Sequence, residues 1–178
     1  MKKYYFLSGL PRSGNTLLGA IINQNPQLNI TANSILTDVI YQLALLRDTQ
    51  IYNNFPDKNS LDNVIKNVFN NYYKDWKAKY IIDRAPWGTP GNLSLLKSII
   101  KKPKFIILYR PVLECLASFV KIEKPTNVEE RCHELMNENN IIKRTIWSIK
   151  NIIKEKEDYI IINYSELIGD PLKQINKI

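Results

Sequence analysis

The sequence contains one histidine and two cysteines among 178 residues, and these scarcities remove several chemistries at the outset. Cys115 and Cys132 stand far apart with no C-x-x-C partner, so neither a zinc site nor a disulfide framework is indicated. His133 sits in the polar stretch Glu129-Glu130-Arg131-Cys132-His133-Glu134 and reads as part of a solvated helix face. No apolar run approaches the length of a membrane span. Met1-Lys2-Lys3 looks like the start of a signal peptide, but too few apolar residues follow before Ser8-Gly9. The expectation is a cytoplasmic chain with no membrane span. The formal net charge is +8, which suits anionic ligands. Yet the basic residues are scattered lysines, and there is no aromatic RNA-binding motif, zinc-finger spacing or arginine-rich tail. Nucleic acid is therefore not an expected partner.

A length of 178 residues fits one domain with a real hydrophobic core, and 44% hydrophobic and 24% charged residues are ordinary for such a chain. The most informative segment is Gly9-Leu10-Pro11-Arg12-Ser13-Gly14-Asn15-Thr16, directly after the apolar Tyr4-Tyr5-Phe6-Leu7. It nearly satisfies the phosphate-loop pattern G-x-x-x-x-G-K-[ST], with Gly9, Gly14 and Thr16 in place and Asn15 where the lysine belongs. A strand that ends in such a turn and opens a helix presents free backbone N–H groups to an anion. Arg12 adds a planar charged fork suited to phosphate or sulfate oxygens. The hydroxyls of Ser13 and Thr16 add donors.

Strand and helix signals alternate along the chain. Strands are expected at 4–8, 79–82, 104–109 and 159–163. Helices are expected at about 15–24, 33–47, from Ser60 onward, 91–100, from Pro111 to about 121, and as one long element within 127–156. Residues 53–60 read as a loop, and Trp147 reads as core. Strands joined by helices predict an α/β fold: a P-loop-type parallel sheet with helices on both faces, in a single domain. Ligands then sit at the C-terminal strand ends, where the Arg12 loop, Asp83-Arg84 and Arg110 all fall.

Three segments together resemble the sulfotransferases that use 3′-phosphoadenosine 5′-phosphosulfate (PAPS). Residues 9–18 look like that family's 5′-phosphosulfate loop, P-R-S-G-T-T-L. Phe105-Ile106-Ile107-Leu108-Tyr109-Arg110-Pro111 through Ser118 looks like its 3′-phosphate segment, a strand ending in Arg with a Ser eight residues on. Tyr164-Ser165-Glu166-Leu167-Ile168-Gly169-Asp170-Pro171 resembles its later Y-E-x-L-x-x-x-P segment. The likeness is nearer the tyrosylprotein and bacterial branch. It departs from the family in two ways. Thr31-Ala32-Asn33-Ser34 lacks the glutamate common near Asn33, and the chain ends at Ile178, before a glycine- and basic-rich closing loop. The expectation is thus a sulfotransferase-like domain over residues 1–178 without that loop. It remains open whether this is a minimal form, a truncated form or one completed by a partner.

The resemblance implies sulfuryl transfer from PAPS to an acceptor hydroxyl or amine, leaving 3′,5′-ADP, with no metal. Arg12, Ser13, Gly14, Asn15 and Thr16 then cradle the phosphosulfate, while Arg110 and Ser118 take the 3′-phosphate. Arg84 stabilises the transferring group. Asp83, beside Arg84, is the first choice for the proton acceptor, against a role in orienting Arg84; Asp38 is the second. The acceptor (small molecule, glycan or peptide) and the oligomeric state are left open. Two rivals stand beside this reading: a non-catalytic module that binds a nucleotide or sulfated ligand, and a P-loop nucleotide kinase, against which Asn15 and Arg110 both count.

Overall fold

The computed structural model describes residues 2–138 and 140–178. Five strands form one parallel sheet: β1 (Lys3–Gly9), β2 (Leu28–Ile30), β3 (Tyr80–Arg84), β4 (Lys104–Tyr109) and β5 (Asp158–Asn163), in the order β2-β3-β1-β4-β5. Side chains alternate across the pleat, and the residues on each face differ accordingly. Phe6, Ile81, Phe105 and Ile107 enter one core, while Leu7, Ile82, Ile106 and Leu108 enter the other. Both cores are apolar, which is why these strands read as continuous hydrophobic runs rather than alternating ones.

The second core is closed by α1 (Asn15–Ile22) and by α10 (Tyr164–Gly169), which supply Leu18, Ile22 and Leu167; α11 (Pro171–Ile175) packs beside α10. The first is closed by α2 (Leu36–Leu45), α4 (Lys58–Lys66), α5 (Val68–Tyr72), α6 (Pro90–Ile99) and α9 (Ile141–Lys154). Between α2 and α4 lie a short 3-10 turn and α3 (Gln50–Asn54). A third cluster forms beyond the strand ends, where Leu10 meets α7 (Val112–Glu123), α8 (Val128–Met136) and α9 through Cys115, Leu116, Leu135 and Ile142. This third cluster anchors the loop after β1 to three helices from the C-terminal half.

The largest side chains of the first core form an aromatic group. The rings of Phe6, Phe69 and Trp87 lie 5.4–5.8 Å apart, centroid to centroid, within the usual range for favourable ring pairs. Gly88 allows α9 to press directly on the turn after β3: a Cβ there would lie 2.4 Å from the Ser148 carbonyl oxygen. Asn151 Nδ2 then donates to the Gly88 carbonyl at 2.9 Å. The turn that follows Arg84 is thereby pinned to α9.

Several expectations shift. The edge strand β2, only three residues long, carries too little pattern to be read in advance. It is held partly by Asn23, whose Oδ1 accepts from Ile30 N at 2.9 Å. Residues 53–60 are not a plain loop, because α3 and α4 intrude on both sides. The helix expected from Ser60 starts earlier, as α4 at Lys58, because Asp57 caps it by accepting from Ser60 N at 3.0 Å. The long helix within 127–156 is two helices. Asn127 caps α8 and Asn140 caps α9, their side chains accepting from Glu130 N and Ile141 N. Such asparagines compete with the helical backbone and restart it. Trp147 is not core: it is 53% exposed.

Candidate functional site

The loop between β1 and α1 is organised on one acceptor, the Leu10 carbonyl. Ser13 N, Ser13 Oγ and Asn15 Nδ2 all donate to it, at 3.1, 2.7 and 2.8 Å. Ser13 and Asn15 are buried. Their side chains therefore hold the loop together from within, and the position of the missing lysine is filled by a brace. The Ser13 hydroxyl, expected as a donor to a ligand, is instead spent on the loop, as is the Asn15 amide N–H. Arg12 has φ 66 and Gly14 φ 99, so the chain turns through the left-handed region twice, which favours glycine at the second position. Gly14 begins α1 without any side-chain cap. The first-turn N–H groups of α1 are consequently left to an outside acceptor. Thr16, in that first turn, is exposed.

Arg12 is exposed at the rim and donates from Nε to Ser118 Oγ at 3.3 Å. Arg110, from the end of β4, reaches the same place. Its guanidinium donates to the Arg12 carbonyl at 2.9 Å and to Glu114 Oε2 at 3.0 Å, and lies 4.2 Å from the ring centroid of Tyr164. The Tyr164 ring in turn packs on Gly14, where a Cβ would come within 2.5 Å of it. Four segments separated by up to about 150 positions thus close into one ring of contacts: the loop, β4, α7 and α10. Arg12, Arg110 and Ser118 are brought together, and the Tyr164 ring stacks against the Arg110 guanidinium.

Arg84 and Asp83 end β3 but go opposite ways, as adjacent strand residues must. Arg84 points toward a cavity of about 380 Å³, which Ser8 and Gly9 at the end of β1 and Pro11 of the loop also line. Its guanidinium donates to the Ala32 carbonyl at 2.7 Å, and burial lowers its pKa. Asp83 is 0% exposed and lies in the first core. Trp87 Nε1 donates to its Oδ1 at 2.8 Å, and the Tyr73 hydroxyl donates to its Oδ2. Burial raises its pKa, and the hydrogen bonds from Tyr73, Trp87 and Ser34 only partly oppose the rise. Tyr73 is likewise raised, by burial and by the adjacent Asp83 charge. Asp83 is thus a structural tie with both oxygens taken. This corrects the expectation that it receives a proton from a ligand.

The carboxylate that does line the cavity is Asp38, on α2, close to Asn33, Ser34 and Thr37. Ile141, Arg144 and Thr145, at the start of α9, line the same cavity. Sequence reasoning missed this α9 wall, since nothing in the pattern of α9 indicates which of its cations faces a cavity at the strand ends.

A family model described as "Sulfotransferase family" matches residues 5–178. The chain belongs to the sulfotransferase family. Among solved structures, it resembles the sulfotransferase domain of the olefin synthase of Synechococcus PCC 7002, with a TM-score of 0.63, 19% identity, and 99% of this chain and 71% of that one covered. It also resembles a sulfotransferase from Alicyclobacillus acidocaldarius, with a TM-score of 0.61, 12% identity, and 99% and 78% of the two chains covered. At these identities the likeness is one of fold, and it agrees with the five-stranded parallel sheet found here. No curated protein matches the chain. As a member of this family the protein is a transferase of the sulfotransfer class.

Proposed function

We propose that this sulfotransferase takes its sulfuryl group from PAPS and passes it to an acceptor hydroxyl or amine held in the cavity beside the loop. The observation that carries this reading is the ring of contacts at the strand ends. Arg12 and Arg110 stand within one hydrogen-bonded cluster with Ser118, next to uncapped α1 N–H groups. Two guanidinium forks and a helix start in one place suit a ligand with two separate anionic groups. PAPS has that form, with a phosphosulfate at the 5′ position and a phosphate at the 3′ position.

In this reading the α1 N–H groups and Arg12 hold the 5′ end of the donor and stabilise charge on the departing phosphate. Gly14 and Asn15 shape that cradle through the backbone, Ser13 braces it, and Thr16 offers a hydroxyl at its rim. Arg110 and Ser118 hold the 3′-phosphate. Arg84, partly buried and oriented by the Ala32 carbonyl, neutralises charge on the group in transit. Asp38 takes the acceptor proton, as the cavity's one carboxylate among the described residues. The bond from sulfur to the donor phosphate oxygen breaks as the bond to the acceptor oxygen or nitrogen forms.

Calorimetric titration tests the donor half. The expected result is that 3′,5′-ADP binds at least about tenfold more tightly than ADP, as a charge-assisted contact to the 3′-phosphate requires. That preference disappears in Arg110→Ala. The proton-transfer half is tested with Asp38→Asn, which should bind 3′,5′-ADP as wild type does while losing about a hundredfold or more in sulfation rate. Equal affinity for the two nucleotides would overturn the donor assignment, and an unchanged rate in Asp38→Asn would overturn the base.

A further inference from the structure

The six arginines divide unevenly. Arg12 is bonded to Ser118, Arg47 to Asp62, Arg84 to the Ala32 carbonyl, Arg110 to Glu114, and Arg131 to Glu123 and Glu134. Arg144 alone, among the described residues, has neither an ion-pair partner nor a hydrogen bond to its guanidinium. It nevertheless lines the cavity that holds Asp38 and Arg84, and it also lines a second cavity of about 460 Å³. Thr145, beside it, spends its hydroxyl on the Ile141 carbonyl at 2.7 Å. Arg144 is therefore the free polar group that α9 offers to both spaces.

The second cavity continues the same character. Lys143, Trp147 and Lys150 line it, with Glu138 as its single carboxylate. Lys143, Trp147 and Lys150 recur at helical spacing, so they share one face of α9. Trp147 presents a flat apolar surface between cations, more than half exposed. A flat indole flanked by cations suits a ring that carries negative charge.

We propose that the acceptor of this sulfotransferase carries an anionic group, a carboxylate or sulfate, which Arg144 binds while the nucleophilic hydroxyl or amine sits at Asp38. A ring of the same acceptor lies against Trp147 in the adjoining cavity. Arg144 is thus a specificity-determining residue that selects charged acceptors over neutral ones. This inference rests on the sulfotransfer reading above, and its test keeps the two apart.

The test measures binding in the presence of saturating 3′,5′-ADP, using two matched pairs of ring compounds that differ at one charged group. These are 4-hydroxybenzoate against 4-hydroxybenzamide, and 4-nitrophenyl glucuronide against 4-nitrophenyl glucoside. In wild type at least one pair should show a preference of about tenfold or more for the carboxylate, the size expected of one charge-assisted contact. Arg144→Gln should reduce that preference to about twofold or less while leaving 3′,5′-ADP affinity unchanged. Lys66→Gln, on an exposed position of α4 away from both cavities, should keep it and so controls for net charge. No preference in either pair, no binding of any of the four compounds, or a preference that survives Arg144→Gln would each overturn the inference. If 3′,5′-ADP itself fails to bind wild type, the donor reading fails instead.

Discussion

The two sides of the strand-end site are built differently. On the side proposed to take the donor the side chains are already held: Arg12 by Ser118, Arg110 by the Arg12 carbonyl and Glu114, and Tyr164 by Gly14. On the side proposed to take the acceptor the cavity-lining Asp38 and Arg144 are exposed, and Arg84 is fixed through its contact to Ala32. A donor of fixed structure rewards a preorganised cradle. An acceptor that differs between members rewards groups that stand free on helices and can change without disturbing the core.

The strongest way to break this contrast is through Asp83. It fixes the end of β3 by joining Trp87 and Tyr73 in the core, and Arg84 is the next residue. Asp83→Ala leaves two buried donors without their acceptor, which should cost about 2–4 kcal/mol in urea unfolding. At temperatures where the variant stays folded, 3′,5′-ADP binding should persist while sulfation falls, because only the acceptor side has been loosened. Equal loss on both sides would mean that the two halves are not separable. A pH series sharpens the point. Burial raises the Asp83 pKa in the folded protein, so just above its ordinary value the folded state keeps a proton that the unfolded state has released. The associated stability is full below the ordinary carboxylate range, falls as pH rises through the raised pKa, and then levels. Asp83→Asn should remove that slope.

The donor side breaks at Gly14. Its φ of 99 and the Tyr164 ring against it leave no room for a methyl group. Gly14→Ala should cost about 1–3 kcal/mol locally, read as a loss of about tenfold to a hundredfold in 3′,5′-ADP affinity. Cavity residues should be untouched, so chemical shifts of Asp38 and Arg144 should not move. If donor affinity is unchanged, the loop is more yielding than its packing implies.

The same contrast explains what the sequence made legible. The loop, the β4 strand and its terminal Arg110 are contiguous patterns, and contiguous patterns survive in a one-dimensional reading. Parallel order followed from buried strands alternating with helices. The acceptor side is assembled from β3, α2 and the first turn of α9, and no spacing rule joins residues 38, 84 and 144. Asp83 misled for a related reason. A carboxylate next to an arginine at a strand end looks exposed to ligand, but the pleat turns one of the two inward, and the sequence does not say which. Trp147 misled because an amphipathic helix was assigned its largest apolar residue as core. In fact Ile142, Ser148 and Ile152 take the buried positions, and the tryptophan faces the second cavity.

The smallest expected effect concerns Glu114, in the first turn of α7, which occupies one donor of Arg110. A carboxylate there does two things to an arriving phosphate. It holds the guanidinium in place, and it takes up part of the charge the phosphate needs. Arg110 has two other restraints, the Arg12 carbonyl and the Tyr164 ring, so its position does not depend on Glu114 alone. The electrostatic term should therefore win. Glu114 is half exposed, where ion pairs contribute only about 0–1 kcal/mol. Glu114→Gln should accordingly tighten 3′,5′-ADP binding by about two- to fivefold at low salt. The gain should shrink as ionic strength rises, because exposed charges are screened. ADP, which lacks the 3′-phosphate, should gain less. Weaker binding in Glu114→Gln would mean that the carboxylate acts chiefly as a positioning group, and that Arg110 is not fixed by the loop and Tyr164 as its contacts indicate.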